Sequence, residues 1–224
     1  MSFRRAIVSY FLKTVISSLA KVECSEFTQA LKNNKPMLVI FNHVNFLEVP
    51  ILTAFSYPTY VTGLAKTETW DNPFFAFLFS TYKAVPIDRN GSFSDAFRKI
   101  KNRINNGYHV CIAPEGTRSK TGVLGEGKGG IIQIALETNV PILPVAHYGG
   151  ENIWKNIKQF KRTKFYFKAG KPFTINVDTR PGKKQREEIL AEIMGQMARL
   201  LPLEKRGIYT EQAEKDSKYL EFIT

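Results

Sequence analysis

Cysteine is scarce. Cys24 and Cys111 are the only two in 224 residues. They have neither the number nor the spacing of a zinc site or a disulfide framework, so no metal centre is expected. Cys111 stands in an apolar run and reads as a buried thiol, and a reducing compartment fits this usage. Acidic residues are also short, 20 against 32 lysines and arginines, for a net charge of +12. That surplus favours anionic partners: nucleic acid, anionic lipid or a phosphorylated ligand. No recognised nucleic-acid motif accompanies it, so nucleic acid is not an expected partner. No Gly-x-x-x-x-Gly-Lys-Ser/Thr pattern occurs, which excludes a nucleotide P-loop. Internal repeats and low-complexity segments are missing too. What the chain does have is 43% hydrophobic and 12% aromatic residues, enough for a real core. Its length fits one domain with a terminal appendage.

Residues 3–22 read as an amphipathic helix. Phe3, Ile7, Phe11, Val15 and Leu19 recur every four residues on an apolar side, and Arg5, Ser9, Lys13, Ser17 and Lys21 on a polar, basic one. Such a helix suits the plane of a membrane interface. It is too short, and too interrupted by Lys13, to span a bilayer. Packing on the domain is the alternative reading. Ser18-Leu19-Ala20 also resembles a signal cleavage site, against which Lys13 argues. The expected organisation is an N-terminal helical membrane-associating region over 1–35, a catalytic domain over 36–201 and a polar tail or loose cap over 202–224.

Within the domain, Met37 to Phe41 reads as a buried strand that delivers His43, with Glu48 five positions on. In open α/β sheets reactive side chains stand past the carboxyl ends of strands. A histidine there can take a proton from an alcohol while a carboxylate holds its ring. Five residues apart, the two would lie on different faces of a continuous helix. His43 is therefore placed before a helix over 46–56 and Glu48 within it. Tyr60 to Ala65 is another strand with Lys66 at its end. Pro73 starts a helix carrying four phenylalanines, which serve the core or a lipid-facing surface. A strand-like run, Ala84 to Arg89, precedes a helix opened by Ser92 with Asp95 as capping-box partner. Phe93, Ala96, Phe97, Ile100 and Ile104 make that helix's buried stripe.

Tyr108 to Ala113 is a strand, with His109 structural. It runs into Pro114-Glu115-Gly116-Thr117-Arg118-Ser119 and a glycine-rich loop, Gly122 to Gly130. Glycines let backbone approach a ligand, arginine grips phosphate in a fixed fork, and the apolar helix 130–138 would offer free amides to an anion. A plain surface loop is the alternative. Val140 to Gly149 is a strand whose two prolines suggest a place near a sheet edge. His147 on it is a polar residue at a strand end, or a second catalytic histidine. Lys161 to Lys164 is a basic cluster, solvated or lipid-facing. Residues 184–201 form an amphipathic helix through Ile189, Ile193, Met194, Met197 and Leu201. The fold class is thus α/β, a mixed, largely parallel sheet with helices on both faces.

Four of these stretches, in this order, resemble the blocks of the glycerolipid acyltransferases, the family of 1-acylglycerol-3-phosphate and glycerol-3-phosphate acyltransferases. Asn42-His43 through Glu48 is similar to the first block and Ile87-Asp88-Arg89 to the second. Pro114 to Ser119 matches the third without a change, and Val140 to Val145 resembles the fourth. The resemblance covers about residues 36–150. One departure is Glu48, where the family has Asp. The extra methylene adds about 1.5 Å of reach.

The resemblance implies transfer of an acyl group from a thioester, on coenzyme A or acyl carrier protein, to a hydroxyl of a lysophospholipid acceptor, most naturally 1-acylglycerol-3-phosphate giving phosphatidic acid. It implies no cofactor beyond that co-substrate. His43 is then the general base and Glu48 its partner. Arg89, Arg118, Lys66 and Lys128 are the candidates for the acceptor's phosphate. Asn42, Glu115, Gly116 and Thr117 shape the site, and amides near Gly116 or Gly129 are candidate oxyanion donors. The partners are an anionic membrane surface, reached from its cytoplasmic face, and the two substrates. The rival reading is a lipid-binding or lipid-transfer protein on the same scaffold, its chemistry weakened at Glu48.

Overall fold

The computed structural model describes residues 3–32, 35–88 and 91–223, and of Phe93 the backbone alone. In chain order the elements are α1 (Phe3–Leu19), β1 (Ala20–Glu23), α2 (Ser25–Ala30), β2 (Leu38–Phe41), α3 (Glu48–Phe55), β3 (Val61–Lys66), α4 (Pro73–Tyr82), β4 (Val85–Ile87) and α5 (Phe93–Asn105). There follow β5 (His109–Ile112), α6 (Gly130–Thr138), β6 (Ile142–Tyr148), α7 (Ile153–Lys158), β7 (Thr163–Ala169), β8 (Phe173–Ile175), α8 (Lys183–Arg199) and β9 (Leu220–Phe222).

The strands lie in the order β1-β7-β6-β2-β5-β3-β4, with β8 beside β6 and β9 beside β8. Strands β2 to β6 all run the same way. β7 and β8 are antiparallel to β6. Buried on both faces, β2 is a continuous apolar run rather than an alternating one. Leu38 and Ile40 join the cluster under α5, α6 and α8. Val39 and Phe41 join the opposite cluster, under α1, α2, α3, α4 and α7. The sheet is therefore mixed, largely parallel and covered by helices on both faces.

β6 corrects one expectation. Despite Pro144 it lies between β2 and β7, inside the sheet, with Pro141 just ahead of its first residue. Pro144 C=O accepts from the Gly170 N–H at 2.9 Å. A strand residue's N–H and C=O face the same side, so the N–H that Pro144 lacks would point there too. That is the gap where β7 has ended and β8 has not begun, and no bond to β2 is lost.

α1 also differs from its expected faces. Val8, Leu12 and Ile16 are buried against the domain, and so are Arg5 and Ser9 from the side read as polar. Ser9 Oγ bonds to Tyr82 Oη at 2.9 Å. The Arg5 guanidinium reaches the carbonyls of Thr59 and Val61 at 2.9 and 3.3 Å, over the Tyr60 ring at 4.6 Å. The repeat of four drifts across a helix of 3.6 residues per turn, so one end of the polar row turns inward. Phe3, Ile7, Tyr10, Phe11, Val15 and Leu19 stay exposed. Among the described residues no helix is long and apolar enough to cross a membrane.

At α5, Ser92 Oγ accepts from the Ser94 N–H, and the Asp95 carboxylate goes to Arg98 and Lys99 instead of closing a capping box. Ile100 and Ile104 are buried, while the Phe93 side chain lies outside the described residues. On α4, Phe74 and Phe77 are exposed and Phe75 and Phe79 half-buried. Beyond α8 come three 3-10 turns and β9, with Tyr209, Ala213 and Leu220 buried.

Candidate active site

Three loops converge at the carboxyl ends of β2, β5 and β6. This is the crevice where an open α/β sheet places its ligands. The chain leaves β2 at Phe41 and turns through Asn42 and His43, and α3 begins at Glu48. The turn is closed by the glutamate. Its Oε1 accepts from the N–H groups of Val44 and Asn45 at 2.7 and 2.5 Å, satisfying amides that precede a helix start. Its Oε2 lies 2.6 Å from His43 Nδ1. Glu48 is fully buried, and the His43 side chain is 27% exposed.

An ionised carboxylate only accepts, so Nδ1 carries a hydrogen, and in the neutral ring Nε2 is the nitrogen with the lone pair. This is the tautomer a general base requires. Burial pushes the Glu48 carboxyl up, but contact with the His147 and His43 rings outweighs it and holds the group below its ordinary value. The histidine and carboxylate predicted to meet do meet. The longer side chain stays in register because the helix starts at the glutamate itself.

His147 is part of the same cluster. It is wholly buried at the end of β6, and its Nδ1 stands 3.4 Å from Glu48 Oε1, longer than a good hydrogen bond. Its ring stacks on those of Phe165 and Phe167 from β7, centroids 5.4 and 4.8 Å away. Asn42 sets its place. The Asn42 Oδ1 accepts from the His147 N–H at 2.7 Å and Nδ2 donates to its C=O at 2.8 Å, extending the β2–β6 pairing through a side chain. The sequence placed His147 at a strand end, and only the topology puts it behind Glu48.

The third block holds His43 by its backbone. Buried Glu115 accepts from the His43 N–H at 2.7 Å through Oε1 and from the Gly125 N–H at 2.8 Å through Oε2. The Ser119 N–H donates to the His43 C=O at 2.7 Å. Both backbone groups of the histidine are thus fixed from the loop after β5. Burial pushes the Glu115 carboxyl up, against the two amides. Gly116 sits at φ +67°, in the left-handed region, where a Cβ would also meet Lys128 Nζ at 3.0 Å. The glycine-rich loop is tied further along, where the Gly127 N–H donates to Tyr209 Oη at 2.9 Å.

Of the predicted phosphate ligands, Arg118 and Lys128 lie in this loop cluster with exposed side chains, as does Thr117. Lys66 ends β3, exposed at the same end of the sheet, with β5 between it and β2. Arg89 lies outside the described residues.

A model of the family described as Acyltransferase matches residues 21–148. The chain belongs to this family. It is 31% identical over 153 residues to a 1-acyl-sn-glycerol-3-phosphate acyltransferase of Cocos nucifera, covering 66% of this chain and 47% of that one. It is 28% identical over 120 residues to a protein of the same name from Pseudomonas aeruginosa, covering 52% and 46%. The chain spans about half the length of these relatives. The crystal structure of the 1-acyl-sn-glycerophosphate (LPA) acyltransferase PlsC from Thermotoga maritima superposes with a TM-score of 0.61 at 21% identity, covering 96% of this chain and 81% of that one. The same fold is therefore built from a largely different sequence.

Proposed function

We propose that this chain is an O-acyltransferase that moves a fatty acyl group from a thioester, on coenzyme A or acyl carrier protein, to the free hydroxyl of 1-acylglycerol-3-phosphate. The observation that carries the reading is the 2.6 Å contact of His43 Nδ1 with buried Glu48. It leaves Nε2 of a partly exposed ring as a base. His43 Nε2 takes the hydroxyl proton as the oxygen attacks the thioester carbonyl carbon. Collapse of the tetrahedral intermediate breaks the carbon–sulfur bond, and the imidazolium returns its proton to the leaving thiolate. The products are an ester and a free thiol. Glu48 stays ionised and stabilises the imidazolium. No acyl-enzyme is needed. Cys111, on β5 between β2 and β3, is buried and its thiol is pushed up by burial, which makes it a poor nucleophile.

Arg118 and Lys128 are the cations we assign to the acceptor's phosphate, with Arg89 and Lys66 as further candidates. Amides near Gly116 or Gly129 are the donors proposed for the oxyanion. The exposed stripe Phe3, Ile7, Phe11, Val15 and Leu19 on α1 supports residence on the membrane that dissolves the acceptor; the cytoplasmic face is part of the proposal. The test is thiol release from a long-chain acyl-coenzyme A by purified protein with anionic vesicles, with and without lysophosphatidate. Acceptor-dependent release that disappears in His43→Ala is the expected result. Release that ignores the acceptor, or that survives His43→Ala, would overturn the reading.

A further inference from the structure

Phe160 breaks two local rules at once. Its side chain is 100% exposed, and its backbone sits at φ +53°. The hydrogen bonds around it identify the position. The Lys161 N–H donates to the Asn156 C=O at 2.9 Å and the Phe160 N–H to the Ile157 C=O at 3.0 Å. This is the pair of bonds that ends a helix in a Schellman motif, and Phe160 occupies the left-handed position that glycine usually fills. A Cβ there crowds the following carbonyl, a cost glycine does not carry. A large apolar side chain is thus held in water, in an unfavourable conformation, for no gain within the fold. Strain of this kind argues for a use outside it.

The surroundings say what that use is. Lys155, Lys158, Lys161 and Lys164 are exposed within five residues of Phe160, and among the described residues none of them forms an ion pair. Trp154, on the same short helix, is 57% exposed and stacks on Phe46, centroids 5.7 Å apart. Phe46 lies between His43 and Glu48 in the chain. The corner is braced. Asn156 Nδ2 donates to Thr163 Oγ1 at 3.0 Å, and Arg162 donates to the carbonyls of Ser17 and Ala20 at 2.6 and 3.0 Å, joining the turn to the end of α1. Exposed aromatics among unpaired lysines are the composition of a membrane interface: rings enter the headgroup and acyl boundary while ammonium groups meet anionic lipid.

We propose that the corner between α7 and β7 inserts into an anionic lipid surface, with Phe160 as the leading side chain and the Trp154–Phe46 pair setting the mouth of the His43 site against the bilayer. The proposal extends the membrane-bound reading above, and its experiment reads insertion without turnover. The full chain carrying Trp70→Phe keeps Trp154 as its single tryptophan. It is mixed with phosphatidylcholine–phosphatidylglycerol vesicles whose acyl chains are brominated. The expected result is a blue shift and quenching of Trp154, much reduced on phosphatidylcholine alone. Phe160→Gly is expected to weaken partition about tenfold while raising Tm, because glycine relieves the backbone. A merely structural phenylalanine would not move these two in opposite directions. Protein that sediments with vesicles through α1 while Trp154 stays unquenched would overturn the proposal and leave the corner to an acidic protein partner. Unchanged partition in Phe160→Gly, or no sedimentation at all, would overturn it too. Insertion without acyl transfer would leave it standing and remove only the reading of the reaction.

Discussion

His43 Nδ1 and Glu48 Oε2 meet at 2.6 Å across a turn whose amides bind the same carboxylate. One side chain thus shapes the loop and orients the ring. In Glu48→Asp the carboxylate retreats by about 1.5 Å and cannot hold both. The acyltransferase reading predicts a loss of about a hundredfold in kcat. Glu48→Gln keeps the shape, but its amide can donate to His43 Nδ1 and leave the ring hydrogen on Nε2, the wrong tautomer for a base. A loss nearer ten-thousandfold is expected. Turnover at saturating acceptor, with the fold checked by circular dichroism, separates the two. Equal, small losses would count against Glu48 as the partner of His43.

Glu115 holds His43 from the other side. Glu115→Ala leaves the His43 and Gly125 N–H groups without their acceptor, so a stability loss of about 1–3 kcal/mol is expected. Glu115→Gln offers one acceptor oxygen for two amides and should fall between wild type and alanine. If Glu115 works by positioning, kcat falls in both variants while the acceptor's KM changes little. A rise in KM with kcat preserved would instead make Glu115 a ligand of the acceptor. Urea unfolding and steady-state kinetics on the same preparations give both numbers.

The order of chemistry was legible in the chain because each block carries a local reason. Apolar strand residues precede His43, Pro73 starts α4, and Pro114 to Ser119 follow directly on a strand. The pairing of His43 with Glu48 needed only a helix start between them. Other features were not legible, because they depend on elements far apart in sequence. His147 reaches Glu48 only because β6 lies beside β2, 105 residues away by the Asn42 bonds. Pro144 inside the sheet looked like an edge signal, since nothing local shows the gap between β7 and β8. Arg5 read as solvated because its tyrosine neighbours, Tyr60, Tyr82 and Tyr108, come from three later segments.

Arg118 and Lys128 belong to the loop cluster that fixes His43, both with exposed side chains, which gives a kinetic expectation. Removing either cation should raise the acceptor's KM more for a phosphorylated acceptor than for an unphosphorylated one of equal chain length. A charge-assisted contact to phosphate is worth about 1.5–3 kcal/mol, roughly ten- to a hundredfold in KM. Arg118→Lys should recover only part of it, because the forked geometry is lost. Equal effects on both acceptors would move the phosphate elsewhere, to Lys66 or to Arg89.

Arg5 makes a prediction about the attachment of α1. It is buried without a carboxylate partner among the described residues, and its charge rests on two carbonyls and the tyrosine faces. Arg5→Ala removes the stem as well as the charge. It should cost about 2–4 kcal/mol. Arg5→Met keeps the packing and removes a buried charge, and should cost less. Hydrogen exchange in α1 locates the effect. Losses spread evenly over the domain would show that Arg5 does more than fasten the helix.

His109 supplies a pH dependence that activity does not enter. It is buried on β5, its Nδ1 has no hydrogen-bond partner among the described residues, and burial lowers its pKa from 6.5 to about 4. The unfolded chain binds a proton at this side chain below pH 6.5, and the folded protein resists it until about pH 4. The stability that comes from keeping the ring neutral is therefore fully present above pH 6.5, erodes as the pH falls, and is gone below about pH 4. The slope is at most about 1.4 kcal/mol per pH unit, and the whole window is worth about 3 kcal/mol. As the pH falls, the lowered Glu48 carboxyl adds a loss and the raised Glu115 carboxyl an opposing gain, so the histidine's share is read from the difference between two proteins that share both carboxyls. Urea unfolding at pH 7, 6 and 5 in wild type and His109→Gln isolates the contribution. The difference between the two proteins should shrink steadily with falling pH, by about 1 kcal/mol or more between pH 6.5 and 5. A difference that stays constant would mean that His109 titrates normally in the folded state.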